Sequence, residues 1–309
     1  MQATPATTPD AIGIPTSGFA VEAGRRLRNL GWHLRHNPKL LVGACLLLAY
    51  VAAGALGPFL VDLDQANPMS VMPDSPPSRE LPLGSDSQGR SLLALTVAGI
   101  PLTLRVGLQA GAIGLGIGIL LGFVSGYVGG VVDTLIRSAA DIMLTVPGLL
   151  VLIIIAASVR GLVSIQIISL VVASLAWMWP TRTIRSQVLS LRERPYVEMA
   201  KLNGENGFQV VVRELIPNLL PYLGASFVGA VGSAILAAIG LEALGLGPQH
   251  EPTLGMTVYW AIYYSALLRG LWWWWAAPVG AIVVLFVALF LLATGLDEIA
   301  NPRLRKATS

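Results

Sequence analysis

The stretch VGLQAGAIGLGIGILLGFVSGYVGGVV, from Val106 to Val132, contains no charged side chain. About 20 apolar residues in a helix cross the hydrocarbon core of a bilayer, so this stretch is long enough to span a membrane. Its glycines recur four residues apart, and this spacing lets a second helix approach closely. The pairs are Gly107/Gly111, Gly114/Gly118, Gly118/Gly122 and Gly122/Gly126. The stretch therefore predicts a transmembrane helix in tight contact with its neighbours.

The composition of the whole chain is that of a membrane protein. Of its 309 residues 54% are hydrophobic and 12% are charged, and the mean hydropathy is +0.70. A soluble domain carries about twice that share of charge. The single cysteine, Cys45, excludes an internal disulfide and a metal site built on cysteines. A dinucleotide-binding turn is excluded for the glycine-rich stretch, because that turn follows a strand and this run is one long apolar helix.

Uncharged stretches of spanning length occur at six places along the chain. A backbone in hydrocarbon must satisfy its hydrogen bonds internally, so runs of this length predict helices. The stretches are Leu40–Val61, Val106–Val132, Ile142–Val159, Gly161–Thr181, Leu215–Leu241 and Gly270–Leu296. We therefore predict an all-α polytopic membrane protein with six transmembrane helices.

A further uncharged stretch, Pro252 to Leu268, is rich in aromatic residues. Its length is marginal for a seventh span, and its tyrosines and tryptophan suit a membrane interface. We expect an interfacial or re-entrant helix here.

The distribution of basic residues predicts the orientation. With the N-terminus inside the cell, most of the 20 lysines and arginines lie on the inner side, as the positive-inside rule requires. An even number of spans then places the C-terminus inside as well. The first outer loop is acidic. The basic residues are thus predicted to anchor the helices beside anionic lipid, and no nucleic-acid partner is expected.

These features divide the chain into segments. Residues 1–24 predict a disordered cytosolic tail, because they are rich in Thr, Pro, Ala and Gly without periodicity. The remaining segments are a cytosolic lead-in and first helix (25–61), an extracytoplasmic loop (62–99), the transmembrane domain (100–298) with a charged cytosolic loop (182–217), and a cytosolic tail (299–309).

Motifs for chemistry on this chain are absent. The sequence has no GxxxxGK[ST] loop for nucleotide phosphates, no HExxH and no GxSxG. We therefore expect no ATP hydrolysis by the chain itself, and no enzyme activity. Two acidic residues beside the spans are candidates for a transport pathway or gate. Asp141 either pairs with Arg137 or lines the pathway, and Glu242 is either a solvated helix end or a gate contact.

The charged loop between the fourth and fifth spans predicts two short helices. Glu198 stands four residues after Arg194 and three before Lys201, which favours ion pairs along one helix. Asn203 and Gly204 end that helix, since both residue types tolerate the left-handed conformation. The loop either folds back on the membrane or inserts into a groove on a partner protein.

The second short helix is expected from about Phe208 to Leu215. Pro217 is expected to break it before the fifth span, because proline lacks the backbone N–H that a helix interior requires.

The same loop resembles the EAA motif of ABC importer permeases. The pattern E-x-A-x3-G-x-N, followed by proline nineteen residues after the glutamate, is met by Glu198, Ala200, Gly204 and Pro217. Met199 stands where the family has a first alanine. The resemblance implies a coupling helix that docks into a cleft of an ATPase subunit. The residues implied in that coupling are Glu198, Met199, Ala200, Lys201, Asn203, Gly204 and Pro217.

Other segments resemble the dipeptide and oligopeptide permeases of the DppC/OppC type within that family. They are LPLGSDSQGRSLLA (Leu81–Ala94), GYVGGVVDTLIRSAADIMLTVPGLL (Gly126–Leu150), ALGLG (Ala243–Gly247) and LDEIANPRLRK (Leu296–Lys306). The resemblance implies the type I importer permease fold and a place in a bacterial inner membrane.

The resemblance also implies partners and cargo. The partners are a second homologous permease, one or two ATP-binding subunits and an extracytoplasmic substrate-binding protein. ATP and Mg would act in the ATP-binding subunits, and this chain would bind no cofactor. The implied cargo is a di- or oligopeptide, with nickel chelates or haem as alternatives carried by the same machinery. A self-contained secondary transporter is the alternative of a different class, and inverted repeats would favour it.

Overall fold

A computed structural model describes residues 37–159 and 161–300 of the chain. The predicted tail 1–24, the C-terminal residues beyond 300 and Arg160 lie outside these described residues. Within them the regular elements are helices. In chain order they are α1 (Pro38–Leu60), α2 (Leu92–Val128), α3 (Gly130–Thr145), α4 (Gly148–Ser158), α5 (Ile165–Ala176), α6 (Met178–Arg192), α7 (Pro195–Leu202), α8 (Gly207–Ala243), α9 (Leu254–Tyr263) and α10 (Trp272–Ala300).

Four of these helices, α1, α2, α8 and α10, are long and apolar enough to cross a bilayer. Two bent pairs, α3 with α4 and α5 with α6, raise the number to six if each pair counts as one span. The structure thus agrees with the predicted all-helical membrane protein. The helix α9 has only 10 residues and is about 15 Å long at 1.5 Å per residue, so it is too short for a seventh span.

The glycine-rich helix α2 lies at the centre of the bundle, and its close contacts confirm the prediction from its glycine spacing. A Cβ atom on Gly111 would lie 2.9 Å from the backbone of Val231 in α8. A Cβ atom on Gly118 would lie 2.5 Å from Pro180 in α6. Glycine is required at these positions because the neighbouring helices occupy the space that a side chain would fill.

The helix α2 begins well before the predicted start of the second span. It starts at Leu92, whereas the uncharged run starts after Arg105, which lies exposed on the surface of the helix. The end of the predicted loop 62–99 is therefore helical. A charged side chain on an exposed helix face does not interrupt the backbone, so hydropathy alone placed this boundary too late.

The two helix pairs that correspond to the predicted third and fourth spans are bent rather than straight. The axes of α3 and α4 differ by 87°, and those of α5 and α6 by 42°. The first bend lies at Val146, whose extended backbone (φ −86°, ψ 133°) precedes Pro147. Proline disfavours the helical conformation of the residue before it, which explains the break.

The prediction that Pro217 separates a short helix from the fifth span is wrong. The helix α8 runs from Gly207 to Ala243, with a π-helical turn at Val211–Leu215 just before this proline. In that turn the Ile216 N–H bonds to the Val211 carbonyl. The wider turn relieves the clash that a proline ring makes with the carbonyl four residues earlier, so the helix continues.

The start of α1 and the end of α10 lie together. The Lys39 Nζ atom is 2.7 Å from the Glu298 Oε1 atom. The end of α1 packs against the start of α2, where a Cβ on Gly57 would meet Val97 at 2.5 Å. The start of α1 therefore lies at the same end of the bundle as the end of α2. The helix α7 also lies at this end, where it packs against α2.

Candidate coupling surface and transport cavity

The helix α7 and the turn that follows it, residues 195–206, form a small projection that we name the knob. Pro195 occupies the first helical position, where its missing N–H costs no hydrogen bond. Gly204 ends the helix with a left-handed backbone (φ +85°), and the Glu205 N–H bonds back to the Ala200 carbonyl at 3.1 Å. The predicted end of this helix at Asn203 and Gly204 is confirmed, and its cause is glycine's freedom at positive φ.

One side of the knob packs inside the chain. Val197 is fully buried and Ala200 is 8% exposed, in a cluster with Phe123 of α2 and Val188 of α6. The small size of Ala200 is therefore explained by packing within this chain. Burial also raises the pKa of the Tyr196 phenol above its usual value.

The other side of the knob is open. Met199 is 58% exposed and Leu202 is 75% exposed, and Phe208, at the start of α8, is 77% exposed. Glu198, Lys201, Asn203 and Gly204 are exposed beside them. Apolar side chains gathered in this way on a charged projection are typical of a protein interface.

The predicted ion pairs of Glu198 with Arg194 and with Lys201 do not form among the described residues. Lys201 instead lies 5.9 Å above the ring of Tyr127 in α2. Arg213 pairs with Glu205 at 3.6 Å.

The start of α8 is fixed by a capping box that the sequence reading missed. The Asn206 side chain accepts from the Gln209 N–H, and the Gln209 side chain accepts from the Asn206 N–H, both at 2.9 Å. The sequence signal of this capping box is an asparagine followed three residues later by a glutamine. Gly207 next to it leaves room for the Tyr127 ring, which a Cβ would approach to 2.9 Å. The knob is thus joined rigidly to α8 and α2.

An ion pair behind the knob ties three helices together. Arg185 of α6 donates two hydrogen bonds to Asp133 of α3, at 2.5 and 2.7 Å. Ser125 of α2 donates to the same carboxylate at 2.5 Å. We name these three residues the clamp. Closer to the knob, Arg192 of α6 donates to the Gly126 carbonyl of α2 at 3.0 Å.

Replacing Arg185 with alanine should destabilise the protein by about 2–3 kcal/mol. The change leaves the largely buried Asp133 carboxylate without its bidentate partner, and hydrogen bonds to charged groups contribute about 1.5–3 kcal/mol each. Thermal unfolding of the purified protein in detergent measures this loss.

The matched control is Arg182→Ala on the same helix. Arg182 is exposed and lies 3.6 Å from Asp141, so its loss should cost at most about 1 kcal/mol. Equal destabilisation by the two variants would contradict the role assigned to the clamp.

The two acidic residues proposed for a pathway lie in different settings. Asp141 pairs with Arg182 of α6, not with Arg137 as one interpretation expected. Glu242 is buried, so its interpretation as a solvated helix end is wrong. It accepts a hydrogen bond from Thr253 at 2.8 Å, and Gly255 packs directly on it. The turn at Gly245 (φ +80°) folds α9 back over the end of α8 and covers this side chain.

A cavity of about 480 Å³ opens on the bundle between α5, α6, α8 and α10. Tyr222, Ser226, Gly229 and Ser233 line it from α8. Their spacing of three and four residues puts them on one face of that helix. Thr183 lines it from α6 and Asp297 from α10. The lining of the cavity is mostly apolar and carries several hydroxyl groups. Sequence reading did not find it, because its walls come from distant parts of the chain.

Among residues 37–159 and 161–300, no group of three or more His, Cys, Asp or Glu side chains comes together as metal ligands would.

Known proteins match the chain along most of its length. Residues 118–306 match the family described as binding-protein-dependent transport system inner membrane component. The chain is 29% identical over 284 residues to the oligopeptide transport system permease protein OppC of Mycobacterium tuberculosis, covering 92% of this chain and 96% of that protein.

Two further relatives cover nearly the whole chain. The dipeptide transport system permease protein DppC of Bacillus subtilis is 28% identical over 297 residues, covering 96% of this chain and 90% of that protein. A putative peptide transport system permease protein of Brucella abortus is 30% identical over 302 residues, covering 96% of this chain and 97% of that protein. With its apolar spans, glycine-packed bundle and projecting knob, this chain belongs to the family of binding-protein-dependent transport system inner membrane components, and it is a multi-pass inner-membrane permease.

Proposed function

We propose that the chain is one of two permease subunits of an ATP-driven importer for di- and oligopeptides. The open side of the knob is the observation that carries this proposal. It presents Met199 and Leu202 to solvent on a short, rigidly based helix, and a groove on an ATP-binding subunit is the partner that such a helix fits. The peptide cargo rests on the names of the relatives, which are peptide permeases.

In this proposal six spans cross the membrane, and both termini and the knob lie in the cytosol. The pairing of Lys39 with Glu298 supports an even number of crossings, because it brings the first and last spans together at the knob end. Two bent pairs then count as the third and fourth spans. The excess of basic residues on the predicted inner side supports a cytosolic location for this end of the bundle.

Coupling would proceed through rigid contacts. Closure of the ATP-binding subunits moves the knob, and the capping box and the π-helical turn transmit that movement to α8. The clamp carries it to α2, α3 and α6. Since α8 also lines the cavity, movement of the knob end changes the shape of the cavity. A second permease would close the open side of the cavity, and an extracytoplasmic binding protein would deliver peptide at the opposite end.

The test is transport by the purified complex in proteoliposomes. The chain is co-purified with its second permease and ATP-binding subunits, and a labelled tripeptide is supplied with the binding protein. Uptake should require ATP on the knob side and should persist when ionophores collapse the ion gradients. Uptake that needs an ion gradient and no ATP would instead support a self-contained secondary transporter.

A further inference from the structure

The transport cavity holds a single charged side chain among the described residues that line it, Asp297 of α10. The rest of its polar lining is uncharged and includes the hydroxyls of Tyr222, Ser226 and Ser233. Within the described residues these three hydroxyls form no hydrogen bond in the protein, so they are available to a molecule in the cavity. A lone carboxylate in such a lining sets the sign of the local electrostatic potential.

Asp297 has no cationic partner in the part of the chain that the structure describes. Lys39 pairs instead with the adjacent Glu298, at 2.7 Å. Asp297 lies one helical turn from Ala293, and both side chains line the cavity. The two neighbouring acids on α10 thus differ: Glu298 holds the first and last spans together, and Asp297 presents its charge to the cavity.

We propose that Asp297 is a specificity-determining residue that favours cargo carrying a positively charged amine in the inner part of the cavity. The inference rests on the proposed function, since it concerns the cargo of the same cavity. The chemical class is an alkylammonium group, such as a lysine side chain or the amino terminus of a peptide. A carboxylate attracts this group and repels an acidic side chain on the cargo, and it does both without contacting the rest of the peptide.

The size of the effect follows from solvent screening. In a water-filled cavity, the interaction between two unit charges about 4 Å apart is strongly screened. Removing one of the two charges therefore changes the affinity for a charged cargo by a factor of about five. Cationic and anionic cargo respond in opposite directions, so the ratio of their uptake is the sensitive measure.

The experiment compares three tripeptides, Ala-Lys-Ala, Ala-Ala-Ala and Ala-Glu-Ala, in the reconstituted complex. Asp297→Asn should lower the ratio of Ala-Lys-Ala to Ala-Glu-Ala uptake at least about fivefold relative to wild type. Glu298→Gln is the matched control: it removes an equal charge from the next residue, outside the cavity lining, and should leave the ratio unchanged. A change in folding or assembly alters the uptake of all three peptides together and does not move the ratio.

The outcomes separate the two proposals. Wild-type uptake with an unchanged ratio in Asp297→Asn would overturn the inference and leave the proposed function standing. An equal fall in the ratio in both variants would also overturn it, because the effect would then reflect surface charge in general. A wild-type complex that takes up none of the peptides would overturn the proposed cargo class and this inference with it.

Discussion

Replacing Gly204 with aspartate is expected to lower peptide uptake at least about tenfold while the protein still folds and inserts. No atom lies within 4 Å of a Cβ added at Gly204, so the new side chain meets open space in the isolated chain. Aspartate is among the residues that tolerate a left-handed backbone, so the strain is about 1 kcal/mol. The carboxylate would become an unpaired charge in the interface with the ATP-binding subunit, where its desolvation costs several kcal/mol.

Uptake by cells and ATP hydrolysis by the purified complex measure this effect. In the Gly204→Asp variant, the substrate-loaded binding protein should no longer stimulate ATP hydrolysis, and transport should be lost at the same time. Gly270→Asp controls for backbone strain, because Gly270 also has a left-handed backbone (φ +74°) in open space but lies at the opposite end of the bundle. The two variants should be equally abundant and equally stable. Normal uptake by Gly204→Asp would count decisively against docking through the knob.

Replacing Gly111 with leucine is expected to prevent the bundle from packing. A Cβ at this position would lie 2.9 Å from both the Cα and the N atom of Val231. These are backbone atoms of α8, and they cannot move aside as the end of a flexible side chain can. Overpacking by a few carbon atoms typically costs about 1–3 kcal/mol. Leucine would place its whole side chain against backbone atoms that cannot move, so we expect the protein to lose at least about 3 kcal/mol of stability.

The same helix supplies the control. Gly116→Leu places an identical side chain five residues further along α2, where nothing lies within 4 Å of the added Cβ. Its yield and melting temperature in detergent should match the wild type or exceed it, because leucine favours the helix more than glycine does. Similar yields and melting temperatures for the two variants would show that the packing of α2 against α8 does not depend on the contact at Gly111.

Several features could be predicted from the sequence because their cause is local. The uncharged runs predict spans, since the hydrophobic length of a bilayer is fixed. The spacing from Gly107 to Gly126 predicts close helix contacts. Asn203 and Gly204 predict the end of α7, because the conformation that ends a helix depends on the residue that adopts it. The resemblance of the loop around Ala200 to the EAA motif predicted the family, which the comparisons confirm.

Other features depend on residues that are distant in the sequence. The clamp joins Asp133 to Arg185, and no spacing rule connects them. The burial of Glu242 depends on α9 folding back across the end of α8, which hydropathy does not show. The role of Pro217 was misjudged because a π-helical turn that ends two residues earlier accommodates the proline. The proposed ATPase-coupling role of the knob residues, and any gating role of Asp141 and Glu242, stay predictions.

The sequence by itself determined that this chain lies in a membrane as a set of packed helices with a charged projection between two of them. It could do so because hydrophobic length, glycine spacing and helix-end chemistry act over a few residues. Only the tertiary structure decided which side of the knob is open, and that Asp297 lies beside Tyr222 and Ser226 in one cavity. Burial and cavities arise where distant segments meet, and their composition depends on how the bent and straight helices pack against one another.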